Sequence, residues 1–241
     1  MTYALSDIHG NLRRFESMLE QIDPQPADTL YILGDVIDRH PDGIQLLRRI
    51  MEMPNVRMLL GNHEYMMMRA LGAPYDGISD ILGKSKENLI VLWYRNGGGV
   101  THKAWKCQRK AVREDILDYL RALPLNIDVK VGEHSFKFVH GGPMETYPKY
   151  GTPAGKTPTY FAVWNRELDA LRVKSGQTVI FGHTPTENFQ SDDPLKIWYG
   201  DGMIGIDCGC GYPECEELLQ EMKQGRLACL RLDDMQEFYL A

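Results

Sequence analysis

The chain has 241 residues, of which 43% are apolar and 25% charged, an ordinary balance that excludes a disordered chain. No run approaches the roughly 18 uninterrupted apolar residues of a membrane helix. A net charge of −6 argues against a basic nucleic-acid-binding surface, and an odd count of five cysteines argues against a disulfide framework.

Tyr3-Ala4-Leu5 reads as a short strand, and Ser6-Asp7 follows too soon for a signal peptide, so the expected compartment is the cytoplasm. A helix is predicted from about Asn11 to Ile22, with Leu12, Phe15, Met18, Leu19 and Ile22 on one face. Asp23-Pro24-Gln25-Pro26 ends it, because proline lacks an N–H and clashes with the preceding turn. Leu30 to Leu33 is the next strand, Asp42 to Met53 the next helix, Val56 to Leu60 a third strand, and Asn62 or His63 opens another helix. Strand–helix–strand order argues for an α/β fold. Helical patterns continue to Leu123, where Pro124 stops them. Strands then dominate: Ile127–Val131, Phe136–Val139, Thr178–Phe181, Ile204–Ile206, Ala228–Leu232 and Glu237–Leu240. The first two form a predicted hairpin around Gly132, and Pro143 to Thr159 reads as a long loop. No linker separates two cores, so residues 1–241 are expected to form a single domain with two packed sheets.

Five short clusters follow apolar strands closely: Asp7-Ile8-His9-Gly10, Gly34-Asp35-Val36-Ile37-Asp38-Arg39, Gly61-Asn62-His63-Glu64, His140-Gly141-Gly142 and Gly182-His183-Thr184. Strand C-terminal ends of an α/β sheet converge on one rim, and oxygen and imidazole donors arriving there form a metal-site pattern. Composition alone gives a Gly-Asp-x-x-Asp-Arg string about 0.008 times in this chain, so turn chemistry is a poor account of it. A two-metal phosphoryl hydrolase needs these donor types. Asp35 would bridge two ions, with Asp7 and His9 completing one and Asn62, His140 and His183 the other. The shared water, acidified to a bridging hydroxide, would attack phosphorus in line. His63 would protonate the leaving alkoxide, Asp38 would hold that imidazole, and Arg39 would bind phosphate oxygens.

These residues resemble the calcineurin-like metallophosphoesterases, and within them the phosphoprotein phosphatases of bacterial and phage-lambda type. The resemblance runs from Asp7 to His183 and includes Asn96-Gly97-Gly98 and Trp164-Asn165-Arg166-Glu167. It implies an α/β/α sandwich of two mixed β-sheets flanked by helices. It implies Asp7, His9, Asp35, Asn62, His140 and His183 as metal ligands, His63 as the acid, and Arg39 and Arg166 as phosphate clamps. It implies two divalent ions, usually Mn²⁺, with Fe or Zn as alternatives. Two departures bear on substrate. Leu60 stands where the phosphatases carry arginine before Gly-Asn-His, and His40 stands where glycine is common. Leucine at that place, and a cysteine near Cys210, are also found in the symmetrical diadenosine tetraphosphatases.

The expected function is hydrolysis of phosphoserine and phosphothreonine in proteins or peptides, with diadenosine tetraphosphate hydrolysis as the alternative. Neither nucleic acid nor membrane is an expected partner. Cys208, Cys210 and Cys215 lack zinc-site spacing and read as buried strand residues. Lys103, Lys106, Lys110 and Arg113 read as one solvated helix face, and Met66-Met67-Met68 as core on one helix face. Tyr147, Tyr150, Tyr160 and Phe161 are aromatics of the long loop that a nucleotide base could use.

Overall fold

Strand β1 (Thr2–Leu5) is buried along most of its length, and its alternation serves two cores: Tyr3 and Leu5 point into one cluster and Ala4 into another. The structure is a computed structural model that describes residues 1–73, 75, 86–173, 176–213 and 224–241. Helix α1 (Leu12–Ile22) begins where the Asn11 side chain accepts the Arg14 N–H, and it ends at Asp23, in left-handed conformation just before Pro24. Next come β2 (Thr29–Ile32), α2 (Gly43–Met51) and β3 (Val56–Met58). Both parallel pairings, β1 with β2 and β2 with β3, are crossed by a helix, as parallel neighbours require.

Four helices follow: α3 (Asn62–Ala70), α4 (Lys86–Arg95), α5 (Gly98–Lys106) and α6 (Lys110–Ala122). Two expectations change here. Met66, Met67 and Met68 are all buried, so α3 is enclosed by neighbours and does not present one core face. Lys103 and Lys106 lie on α5 and Lys110 and Arg113 on α6, so the four do not share a helix face.

Strands β4 (Asn126–Val131) and β5 (His134–Val139) form the predicted hairpin, with Gly132 at φ +57°. The expected loop after Pro143 contains a short turn at Met144–Thr146, helix α7 (Tyr147–Tyr150) and the start of α8 (Pro158–Trp164), whose Thr157 cap accepts the Tyr160 N–H. Then come β6 (Thr178–Phe181), β7 (Trp198–Gly200), β8 (Met203–Gly205), β9 (Leu227–Arg231) and β10 (Gln236–Leu240). Cys208 and Cys210 are buried but lie beyond β8, outside any named strand, and Cys215 lies outside the described residues.

Two mixed five-stranded sheets result, in the orders β10-β9-β1-β2-β3 and β4-β5-β6-β8-β7. Ala4, Leu33, Phe136, Phe138, Ile180, Ile204 and Leu230 fill the space between them. A fully buried side chain such as Phe138 stabilises by about 1.5–3 kcal/mol, and this shared layer holds the sheets face to face. The outer faces pack against α1 to α6 on one side and against Leu168, Leu171 and Phe189 on the other. The molecule is the expected sandwich, and no helix among the described residues is long and apolar enough to cross a membrane.

Candidate metal centre

The parallel strands end on a common rim and deliver the sequence-predicted residues there. Asp7 and His9 follow β1, Asp35, Asp38 and Arg39 follow β2, and Asn62 and His63 open α3 after β3. His140 follows β5 and His183 follows β6. Asp7, His9, Asp35, Asp38, Arg39 and His183 all have φ between +51° and +73°. Left-handed backbone costs most non-glycine residues stability, and such strain concentrates at functional sites. Gly182 permits the two sheets to meet here: a Cβ on it would lie 2.4 Å from Asp7 Oδ2.

Asp35 is the centre of the arrangement. His140 Nε2 lies 3.4 Å from its Oδ1, while His9 Nε2 and His63 Nε2 lie 3.9 and 3.8 Å from its Oδ2. Asp7 Oδ1 is 3.9 Å from His9 Nε2, and Asn62 Oδ1 is 2.9 Å from His140 Nε2. Two donor groups, His9–Asp35–His63 and Asp35–His140–His183, each have their ligand atoms within 4.8 Å of one another, and they share Asp35. Donor atoms spaced about 3–4 Å apart suit ligands that each bond an ion at about 2.1 Å. The remaining ring nitrogens are fixed from behind: His9 Nδ1 pairs with the Ile37 carbonyl at 3.2 Å and His140 Nδ1 with that of Leu33 at 2.6 Å.

The electrostatics also fit ions. Burial, then the Arg39 guanidinium, holds His9 well below the usual imidazole range, and burial, then His140, does the same for His183. Neutral imidazoles are what a metal binds. Burial opposes charge on Asp35, yet His140 and His63 hold its carboxyl well below the ordinary range. Burial likewise opposes charge on His140, but Asp35 beside it lifts the imidazole to about 9. His183 Nε2 is buried with no hydrogen-bond partner, a polar atom that needs a ligand to satisfy it.

Behind Asp35, His63 Nδ1 meets Asp38 Oδ2 at 2.7 Å, and the Trp93 indole N–H donates to the same oxygen at 2.8 Å. Thr101 Oγ1 accepts the Asp38 N–H at 3.0 Å. Asp35 and Asp38 raise the pKa of His63 against the opposing effect of burial. Arg39 stands beside His9, while Arg166 stands beside His183, donating from Nη1 to the His183 carbonyl at 3.0 Å and to Thr184 Oγ1 at 3.3 Å.

Three contributors escaped the sequence reading. Glu64 is fully buried and accepts the N–H groups of Asp35, Val36, Ile37 and Gly61 at 2.9–3.2 Å, which clamps the β2 turn to α3. It stands in the Gly-Asn-His-Glu cluster, where a glutamate at the third helical position signals the local Gly61 contact, but nothing in the sequence signals the three distant donors. Asp207 follows β8 as the other acids follow their strands, and it is buried near Asp7 and Asp35. Its position after an apolar strand was a usable signal. Trp93 reaches Asp38 from 55 residues away.

The sequence matches the profile of the calcineurin-like phosphoesterases over residues 2–223. The chain belongs to that family. The two donor groups around Asp35 are where its fold gathers candidate metal ligands. A symmetrical bis(5′-nucleosyl)-tetraphosphatase from Pectobacterium carotovorum is 35% identical over 101 residues, covering 39% of this chain and 36% of that one. A protein of the same description from Yersinia pestis is 34% identical over 102 residues, covering 39% and 35%. The matched stretch thus spans about a third of these relatives' length. In solved structures, a metallophosphoesterase from Sphaerobacter thermophilus superposes with a TM-score of 0.53 at 15% identity, over 99% of this chain and 86% of that one. A serine/threonine protein phosphatase from Saccharomyces cerevisiae gives 0.56 at 12%, over 99% and 78%. Both share the fold.

Proposed function

We propose that this phosphoesterase hydrolyses dinucleoside polyphosphates of the diadenosine tetraphosphate type. The carrying observation for the chemistry is the sharing of Asp35 between two donor groups, with His63 facing the same carboxylate. In this reading Asp7, His9 and Asp35 hold one divalent ion and Asp35, Asn62, His140 and His183 the other. Two ions bound there supply Lewis-acid activation of water and neutralise phosphoryl charge, and Mn²⁺ suits the oxygen and imidazole donors. Arg39 and Arg166 grip phosphate oxygens from the two flanks through their planar forks. His63, oriented by Asp38, gives its proton to the departing oxygen from Nε2.

The substrate class rests on the relatives, which are described as tetraphosphatases, and on Leu60 before Gly-Asn-His. It replaces the phosphoserine and phosphothreonine reading in first place. An aromatic pair supports it: Tyr160 stacks on Trp164, and the Trp164 ring stands edge-on to His183 at 5.6 Å, beside Arg166. Of the other loop aromatics, Phe161 is fully buried and Tyr147 packs on it. The protein-phosphatase reading keeps one observation in its favour, the His63–Asp38 pair, because an alkoxide leaving group needs a proton far more than a nucleoside diphosphate does. The deciding experiment compares kcat/KM for diadenosine tetraphosphate and a phosphoserine peptide with Mn²⁺ present. The dinucleotide is expected to be preferred; preference for the peptide overturns the proposal in favour of the phosphatase.

A further inference from the structure

An open groove of about 480 Å³ lies beside the candidate metal centre, lined by Arg39, Arg95, Gly97, Gly211 and Tyr212. Gly211 forms part of its lining where it meets the centre. A Cβ at Gly211 would lie 2.3 Å from His9 Cδ2 and 2.8 Å from Arg39 Nη1, so a larger residue would crowd both. Arg39 and Arg95 belong to one local unit. The Arg39 N–H donates to the Gly97 carbonyl at 3.2 Å, and Gly97, at φ +94°, terminates the turn that begins with Arg95 at the end of α4. A Cβ on Gly97 would lie 2.9 Å from Arg39 Cγ. None of the described residues lining the groove carries a carboxylate, and neither arginine has an ion-pair partner among the described residues.

In the reading above, Arg39 and Arg166 meet an orthophosphate or monoester group at the centre. Each further phosphate of an anhydride chain adds negative charge just beyond, where a second guanidinium along the same groove would meet it. We infer that the Arg39–Arg95 groove is a subsite for the second phosphate of a polyphosphate chain, and that Arg95 selects such chains over monophosphates. The inference rests on the polyphosphate reading above for the identity of its natural ligand.

The test uses the Mn²⁺-loaded full chain hydrolysing p-nitrophenyl phosphate, with orthophosphate and inorganic tripolyphosphate as competing inhibitors at fixed free Mn²⁺. In the wild type the inhibition constant for tripolyphosphate is expected to be at least tenfold below that for orthophosphate. Arg95→Ala should erase most of that ratio, Arg95→Lys should restore part of it, and added salt should weaken it, because the groove is open to solvent. A wild-type ratio near one, or a ratio unchanged in Arg95→Ala, overturns the subsite. Dependence on Arg95 for a diacidic phosphopeptide but not for tripolyphosphate also overturns it and assigns the groove to a peptide. Parallel turnover of diadenosine tetraphosphate separates the two proposals. An Arg95-dependent tripolyphosphate preference without dinucleotide turnover sinks the substrate and leaves the subsite standing, whereas turnover indifferent to Arg95 does the reverse.

Discussion

Asp38→Asn removes a negative charge from a fully buried position while leaving the backbone at ease, because asparagine tolerates the left-handed φ of +73° found there. The amide oxygen can still accept from His63 Nδ1 and from the Trp93 indole, now at 2.7 and 2.8 Å from Oδ2. The His63 contact loses its ionic part, while the new amide N–H₂ takes the place of Oδ1, which is buried without a hydrogen-bond partner, so its cost falls on stability. A hydrogen bond to a charged group is worth about 1.5–3 kcal/mol, roughly twice a neutral one, so the loss is about 0.75–1.5 kcal/mol. At 1.36 kcal/mol per decade, kcat on an alkyl phosphate should fall by about 4–13-fold. His63→Asn removes the acid itself and should cost about 10²–10⁴-fold. Since Asp38 acts through His63, the double variant should be no slower than His63→Asn alone. The assay is kcat for an alkyl and a nitrophenyl phosphate across the four proteins, with bound metal measured by elemental analysis to show that both ions remain. The losses should shrink for nitrophenolate, which leaves without a proton. Losses that multiply in the double variant, or that are equal for both leaving groups, would refute the role given to the pair.

Arg166→Ala should lower kcat/KM roughly 10–150-fold, the equivalent of about 1.5–3 kcal/mol for a lost charge-assisted contact, as read in steady-state kinetics; an effect below threefold would remove Arg166 from the phosphate site. Exhaustive chelation should abolish turnover and Mn²⁺ should restore it; activity in protein shown by elemental analysis to be metal-free would contradict the centre. Metal binding should release protons: in the free protein Asp35 holds the His140 imidazole near 9 against the effect of burial, so at pH 7.5 this ring is protonated and must lose its proton to become a ligand. The sign follows, with affinity weakening as pH falls below about 9, and a pH-stat titration with Mn²⁺ that shows no proton release would count against His140 as a ligand. Each Glu64 oxygen accepts two backbone N–H groups, so Glu64→Gln places an amide N–H₂ against two of the four donors and should destabilise the fold by about 1–3 kcal/mol, which for a chain of this size is a fall of roughly 2–12 °C in Tm. Calorimetry that finds an unchanged Tm would mean that Glu64 does not clamp the β2 turn.

Much of the fold was legible in the sequence, because its determinants are local. Pro24 and Pro124 stop helices, Asn11 caps one, and apolar runs ending in Asp, Asn or His mark strand termini on the functional rim. The errors are also physical. Cys107-Gln108-Arg109 contains neither proline nor glycine, so nothing in it announces the break between α5 and α6. The Thr157 cap and Pro158 of α8 lie within a glycine- and proline-rich stretch whose composition reads as loop.

The donor types and the strands that carry them were readable without a structure, since both are set by residues within a few positions of each other. Which of these donors meet is settled by tertiary packing. His183 meets Asp7 across 176 residues, His140 meets the Leu33 carbonyl across 107, and Trp93 meets Asp38 across 55. The placement of Arg95 beside Arg39 depends on the Gly97 carbonyl, and the assignment of Asp35 to both donor groups depends on two sheets facing each other. Periodicity reports which face of an element is buried; which distant side chain lies against that face is fixed only when the sheets pack, because close packing brings into contact atoms that no local pattern relates.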